Sequence, residues 1–231
     1  MSRLFTALIF AGICWLVACA AEAQPIDCDV AVDTANDSWT VSPELIDCVR
    51  DGSARAESLL GMIYVSVDTP CVEDDCLPSD PAEFGLDPSQ TAEYRQTEGI
   101  RLLRSASAQG QGDAMNEMGI VYLDGTAGMQ QDYALAKGWF ERATEAGDSY
   151  APYNLARMYL YGRGVDTSEG TAFEYLRMSS KRGYRVATCS LGLLVEHKNL
   201  MNQLVGAYVR IVAGMAGKRS CEWYEIMEEL R

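Results

Sequence analysis

A repeat of 36 to 37 residues constrains the fold of this chain more than any other feature of its sequence. The pattern Ala-x-x-x-Met-Gly-x-x-Tyr begins at Ala114, and closely related patterns begin at Ala56, Ala151 and Ala187. The last three copies start 37 and 36 residues apart. Periods of this length are typical of solenoids, in which each copy is one supersecondary unit and neighbouring copies stack to form a continuous core.

Glycines and small residues keep the same register. A glycine lies four residues before each repeat alanine, at Gly52, Gly110, Gly147 and Gly183. A small residue lies four before each glycine, at Cys48, Ala106, Ala143 and Ser179. Four-residue spacing places side chains on one helical face, and a glycine after the last turn is a common helix stop. The spacing predicts two helices per repeat, joined by a glycine-containing loop.

The combined motif resembles the Sel-1-like repeat family, a relative of the tetratricopeptide repeats. The resemblance covers about residues 54–217 and includes the loop Gly162-Arg163-Gly164-Val165 and the closing Ala-x-x-x-Gly. It implies an all-α fold, a right-handed αα-hairpin solenoid of about four repeats with short helical caps. It also implies a protein that binds peptides or other proteins. Residues 65–90 interrupt the first repeat as an acidic insertion, which we expect to be an irregular surface loop.

The ends of a solenoid need caps, because each terminal repeat has one face without a neighbour. We expect residues 24–53 to form an irregular arm followed by a capping helix. Ser42 is suited to be its N-cap and Pro43 its first residue, and Gly52 ends it. Residues 218–231 form the predicted C-terminal capping helix.

The first 23 residues indicate export. Arg3, an apolar run and the small-x-small triplet Ala21-Glu22-Ala23 are typical of a secretory signal peptide, and the run is short of a membrane span. Cleavage after Ala23 predicts a soluble periplasmic or secreted protein that begins at Gln24. Leu16-Val17-Ala18-Cys19 is an alternative, because it resembles the lipobox of bacterial lipoproteins. Lipidation of Cys19 would anchor the protein in the cell envelope, and we expect membrane contact only in that case.

Six cysteines follow the signal peptide, and an even number in an exported protein is typical of disulfides. The register places Cys221 beside Cys189, and Cys71 and Cys76 enclose only four residues. A third bridge, Cys28–Cys48, would tie the arm to its capping helix. A zinc site is the alternative, but the chain has no CxxC pair and its only histidine is His197. We therefore predict three disulfides and no metal site.

Composition and motifs argue against catalysis and against several classes of partner. The formal net charge is −14, so binding to nucleic acid is not expected. HExxH and GxxxxGK[ST] are absent, as is the Ser-x-x-Lys motif that a β-lactam-binding or β-lactam-hydrolysing relative would need. We predict a non-enzymatic protein without a cofactor or a small-molecule substrate.

A protein or peptide is the expected partner, although nothing in the sequence identifies it. At about 100° per residue, the face of each first helix opposite its core is reached two, six and ten residues after the repeat alanine. These positions predict a concave partner-binding groove lined by Asn116, Ile120, Asp124, Tyr153, Arg157, Tyr161 and His197. Tyrosine and arginine are residue types that anchor interfaces. The alternative is an envelope-anchored assembly protein that makes its contacts through its ends or its acidic loop.

Overall fold

The computed structural model describes residues 26–67 and 81–196, and all its regular structure in these ranges is helical. A short 3₁₀ helix spans Pro81–Phe84. The α-helices are α1 Cys28–Ser38, α2 Pro43–Arg50, α3 Ala54–Ser66, α4 Ala92–Ala108, α5 Gly112–Asp124, α6 Tyr133–Glu145, α7 Ala151–Tyr161, α8 Glu169–Lys181 and α9 Arg185–Glu196.

The helices pair as the repeat predicts. Three pairs, α3 with α4, α5 with α6 and α7 with α8, pack more extensively within each pair than between pairs, and α9 is the first helix of a further repeat. Each repeat alanine is fully buried, as expected for the contact point between the helices. The predicted αα solenoid is therefore confirmed.

The closing glycines end their helices in the same way. Each has a positive φ, between +83° and +95°, which a residue with a side chain rarely adopts. In each copy the N–H of the residue after the glycine donates to the carbonyl of the small residue four before it. These bonds are Ser53 to Cys48, Gln111 to Ala106, Asp148 to Ala143 and Tyr184 to Ser179, with lengths of 3.0, 3.1, 3.0 and 3.2 Å. This is the hydrogen bond of a Schellman cap, and its recurrence sets the same turn between successive repeats.

The turn within each repeat is also reproduced. Gly125 and Gly162 end α5 and α7 in the left-handed conformation. The N-cap residue of each second helix then donates its N–H to a tyrosine carbonyl of the first helix, Asp132 to Tyr122 at 2.8 Å and Ser168 to Tyr159 at 2.9 Å. Equivalent bonds at equivalent positions give the two repeats the same internal geometry.

The N-terminal arm differs from its prediction. Residues 28–38 form helix α1 rather than an irregular segment, and Asp27 caps it by accepting from the N–H groups of Asp29 and Val30. A disulfide joins Cys28 of α1 to Cys48 of α2, the pair expected from the sequence. Ala31, Val32 and Ala35 of α1 are buried in the same core as α2 and α3, because small residues let the backbone approach closely. The cap is therefore a helical pair.

The sequence predicted that the acidic insertion is a solvated surface loop, but both of its ends are partly buried in the structure. Val65 and Val67 at its start are buried, and so are Phe84 and Leu86 near its end. The Val41 N–H donates to the Phe84 carbonyl at 2.7 Å, which fixes this part of the insertion beside the N-terminal cap. Val67, Phe84 and Leu86 thus complete the core that α1, α2 and α3 share, whereas Val65 belongs to the core of α4 and α5. Residues 68–80 lie outside the described part.

Several predictions concern residues outside the described ranges. They are the signal peptide with Cys19, the Cys71–Cys76 pair, His197, the second helix of the last repeat and the C-terminal cap with Cys221. Cys189 on α9 is disulfide-bonded, and since Cys28 and Cys48 pair with each other, its partner is also outside those ranges. Within residues 26–67 and 81–196, no helix has the length and apolarity to cross a membrane.

Candidate partner-binding groove

Each first helix of the array packs against neighbours along three sides, as α5 shows. Ala114, Met118 and Val121 lie in the core shared with the preceding repeat. Met115 and Leu123 lie in the core shared with the following repeat. At about 100° per residue, the arc of α5 that neither core covers lies at about 240° to 300° from Ala114. It carries Asp113, Glu117, Ile120 and Asp124, all of them exposed or only partly buried.

The position two residues after the repeat alanine is not in the groove, and its prediction as an exposed position is wrong. Asn116 and Tyr153 are only 8% and 7% exposed. The Asn154 side-chain nitrogen donates to the Asn116 side-chain oxygen at 2.9 Å, so this position of α5 faces α7. Tyr153 in turn lies in the core with α8 and α9. Neighbouring first helices lie too close together to leave this position open.

Of the remaining predicted residues, four lie on the free arcs of α5 and α7, whereas His197 lies outside the described residues. The sequence reasoning also missed other residues on the same arcs. Ile120, Arg157 and Tyr161 are partly buried, and Asp124 is exposed. The missed positions are one before and three after the repeat alanine. We define the α5–α7 groove as Asp113, Glu117, Ile120 and Asp124 on one wall and Tyr150, Arg157, Tyr161 and Arg163 on the other. Asn154, at 8% exposure, belongs to its floor.

The α5 wall carries two neighbouring carboxylates. Burial and, to a smaller extent, the nearby negative charge of Asp124 together raise the pKa of Glu117 to about 7. Burial also raises the pKa of Asp124, whereas the positive charges of Arg157 and Arg163 lower it. Asp124 therefore interacts with the positive charges of the opposite wall. Glu117 is more deeply buried, and no cation is near enough to stabilise its charge.

The α7 wall carries two guanidinium groups that rest on aromatic rings. The Arg157 guanidinium carbon is 6.0 Å from the centre of the Tyr153 ring, and that of Arg163 is 5.4 Å from the centre of the Tyr161 ring. Such cation–π contacts hold the guanidinium planes without using their N–H donors. Neither guanidinium group has a salt-bridge partner among the described residues, so their N–H donors are available to a bound partner.

An aromatic cluster lies at the N-terminal end of the α7 wall. The ring centres of Tyr150 and Tyr184 are 4.3 Å apart, and those of Tyr153 and Tyr184 are 5.1 Å apart. Tyr150 is 51% exposed, so the cluster presents an aromatic surface to solvent. Asp148 orients Tyr150, since its carboxylate accepts from the N–H groups of Tyr150 and Ala151 at 2.9 and 2.6 Å. Tyrosine surfaces of this kind supply contact area at little cost in conformational entropy.

The groove offers charges, hydrogen-bond donors and rings, which are the means of non-covalent recognition. Within the part of the chain that the structure describes, no group of three His, Cys, Asp or Glu side chains could hold a metal ion. The titratable residues of the groove are three carboxylates, two tyrosines and two arginines, and no serine, cysteine or histidine lies among them. The arrangement therefore suits binding.

Residues 112–148 and 149–184 each match the Sel1 repeat family. The chain carries Sel1 repeats. The two matched segments coincide with α5–α6 and α7–α8, the two repeats that form the walls of the groove. A crystal structure of a Sel1 repeat protein from Oxalobacter formigenes has the same fold. It is 24% identical, with a TM-score of 0.59, and the match covers 76% of this chain and 63% of that one.

Curated relatives are longer proteins. Chitin synthase regulatory factor 3 of Schizosaccharomyces pombe is 29% identical over 103 residues, which are 42% of this chain and 11% of that protein. The ERAD-associated E3 ubiquitin-protein ligase component HRD3B of Arabidopsis thaliana is 27% identical over 140 residues, 60% of this chain and 22% of that protein. The chain thus spans at most about a fifth of the length of these two relatives. Sel1 repeat proteins generally mediate protein–protein interactions.

Proposed function

We propose that this chain is an exported, non-enzymatic adaptor that holds a segment of a partner protein in the α5–α7 groove. The observation that carries the proposal is the groove itself. Charged groups and an exposed tyrosine lie on the free arcs of two adjacent first helices. A helix face that only had to be soluble would not need an exposed aromatic side chain. Tyrosine and arginine are enriched at the centres of protein interfaces.

The relatives support a role in partnership with other proteins. One is named a chitin synthase regulatory factor and another a component of an E3 ubiquitin-protein ligase. We carry over to this chain only the property that Sel1 repeat proteins generally share, which is interaction with other proteins. The identity of the partner does not carry over, because those proteins are several times longer.

Export is supported by the cysteines. The Cys28–Cys48 disulfide and the disulfide-bonded Cys189 suggest an oxidising compartment. We propose removal of residues 1–23 as a signal peptide and a periplasmic or secreted location. Anchoring through a lipidated Cys19 is the alternative, and it would place the groove at a membrane surface.

The test is capture of partners from the native compartment by the groove variant Tyr150→Ala/Arg157→Ala. Both side chains contribute to the groove wall, and neither lies in the fully buried core. The matched control is Tyr94→Ala/Arg104→Ala, which removes the same two residue types from exposed positions of the second helix α4. Captured proteins are quantified by mass spectrometry, and each variant is melted to verify its fold.

We expect the groove variant to lose specific partners by at least about tenfold, since interface anchors typically contribute 2 kcal/mol or more. The control should keep them. Equal capture by wild type and groove variant, at unchanged melting temperature, would contradict the proposal and direct attention to the ends of the array.

A further inference from the structure

The two walls of the α5–α7 groove carry opposite charges that do not pair. Glu117 and Asp124 are on α5, and Arg157 and Arg163 are on α7 and the loop that follows it. Asp124 feels both guanidinium groups electrostatically, yet none of these four side chains forms a salt bridge within the described ranges. No ion pair between described residues therefore joins the two walls.

Elsewhere on the surface, basic side chains do find carboxylates. Arg55 contacts Asp29 at 2.6 Å and Asp33 at 2.8 Å, which joins α3 to α1. Arg101 contacts Glu98 at 2.7 Å, and Lys137 pairs with Glu141. Other basic residues, such as Arg104, Arg142 and Lys181, form no salt bridge within the described ranges. In the groove, however, unpaired charges of both signs lie together, on α5 and on α7 with its following loop, where the fold leaves the first helices uncovered.

Glu117 makes the α5 wall a preferred site for a cation. Its carboxylate is partly buried deep in the groove, and no described residue donates a hydrogen bond to it. An ionised carboxylate that is removed from water without a partner is costly, and an incoming cation would offset that cost. Asp124 lies near enough to add its own charge. Ile120 provides an apolar surface beside both for the stem of a long side chain.

We propose that the α5–α7 groove recognises an extended polypeptide segment by a lysine or arginine that contacts Glu117 and Asp124. The proposal rests on the proposed function and specifies the chemistry of the partner. Arg157 and Arg163 on the facing wall then donate to backbone carbonyls or to an acidic residue of the same segment. A polypeptide fits better than a small cation, since the charges and the tyrosine cluster extend along α7 from Tyr150 to Arg163.

Binding should depend on pH through Glu117. The negative charge of Asp124 raises the pKa of Glu117, and the positive charges of Arg157 and Arg163 lower the pKa of Asp124. On the other helices packed against α5, Glu57 of α3 accepts from Gln109, Arg101 of α4 pairs with Glu98, and Lys137 of α6 pairs with Glu141. Arg104 of α4 and Arg142 of α6 form no ion pair within the described ranges, but Asp124 is the charge that shifts the pKa of Glu117. A cationic ligand requires ionised Glu117. Affinity should therefore be full above pH 7 and fall as the pH drops through the pKa of Glu117, about 7.

The experiment selects peptides from a displayed library of random 12-residue peptides on the whole chain at about pH 8. We expect enrichment of peptides with a lysine or arginine at a common position. The variant Glu117→Gln/Asp124→Asn should lose this enrichment. The control Glu93→Gln/Glu145→Gln removes two exposed carboxylates from the second helices α4 and α6 and should retain it. The control distinguishes a specific site from the general attraction of an acidic chain for basic peptides.

A selected peptide is then titrated at about pH 8 and about pH 6. Affinity should fall by up to about tenfold for wild type, because only about a tenth of a group with a pKa near 7 is ionised at pH 6. It should change less than about twofold for Glu117→Gln/Asp124→Asn. Enriched peptides without a basic residue, or equal enrichment by that variant, would overturn the cation site and leave the proposed function standing. Failure of wild type to enrich any peptide above the Tyr150→Ala/Arg157→Ala variant would count against both.

Discussion

The close contact between Gly119 and Phe140 gives the sharpest test of the packing described above. A Cβ added at Gly119 would lie 2.5 Å from two ring carbons of Phe140, far inside van der Waals contact. The ring cannot move away easily, since Phe140 is fully buried in the core between α5, α6 and α7. Gly119→Ala must therefore shift α6 or distort the ring, and we expect it to destabilise the protein.

The expected magnitude follows from two opposing terms. Overpacking of a well-packed core costs about 1 to 3 kcal/mol, and replacing glycine by alanine in a helix gains about 1 kcal/mol. Because the clash involves two atoms of a fully buried ring, the cost should be in the upper half of its range. The net loss in unfolding free energy is then about 1 to 2 kcal/mol, or roughly 3 to 6 °C in melting temperature for a chain of this size.

Gly138→Ala is the matched control. Gly138 is also inside a helix, α6, but an added Cβ would have no heavy atom within 4 Å. Only the gain in helix propensity remains, so this variant should melt about 2 to 4 °C higher. Urea and thermal unfolding followed by circular dichroism would measure both. A Gly119→Ala protein as stable as Gly138→Ala would refute the argument from close packing.

A second substitution tests the mechanism rather than the position. The next repeat has Ala156 and Leu176 at the equivalent positions, both buried, so a larger residue on the first helix accompanies a smaller one on the second. Phe140→Leu should partly rescue Gly119→Ala. We expect the double variant to be more stable than the sum of the two single changes predicts, by about 1 kcal/mol.

Two further predictions concern the cysteines and the N-terminus. Cys28→Ser/Cys48→Ser should lower the unfolding free energy of the N-terminal cap by about 3 kcal/mol, because the bridge closes a loop with a sequence separation of 20. Limited proteolysis should then cut within α1 first. Unchanged protection of α1 from proteolysis would contradict this prediction. Mass spectrometry of the mature, non-reduced protein should find Gln24 as its first residue and the pairs Cys189–Cys221 and Cys71–Cys76; a diacylglyceryl-modified Cys19 would show a lipoprotein instead.

The repeat architecture could be predicted because its signals are local. A glycine with positive φ, a small residue four before it and an alanine four after it all fall within three turns of chain, and the Schellman hydrogen bonds join those same residues. Helix α1 was missed because its sequence is mostly polar, with Asp29, Asp33 and Asp37 among its eleven residues. Its stability depends on the disulfide and on contacts with α2 and α3, which no local pattern reveals.

The groove was only half predictable, and the reason is geometric. A helical wheel identifies the face opposite a single core, but a first helix in this array also contacts the first helices on either side. The free arc is the one left by all three neighbours, about 30° from the predicted centre. That shift depends on how closely successive repeats approach. It brings Asp113, Glu117 and Tyr150 into the groove and removes Asn116 and Tyr153 from it.

The residues removed from the groove have a different role, which their burial reveals. The position two after the repeat alanine is occupied by Ser58, Asn116, Tyr153 and Cys189, and all four are at most 8% exposed. These residues have little in common chemically, yet all four are buried. Asn116 contacts α7 there by a hydrogen bond, and Tyr153 contacts Tyr184 by its ring. In α5 and α7, this position therefore contributes to the contact with the following repeat rather than to the groove.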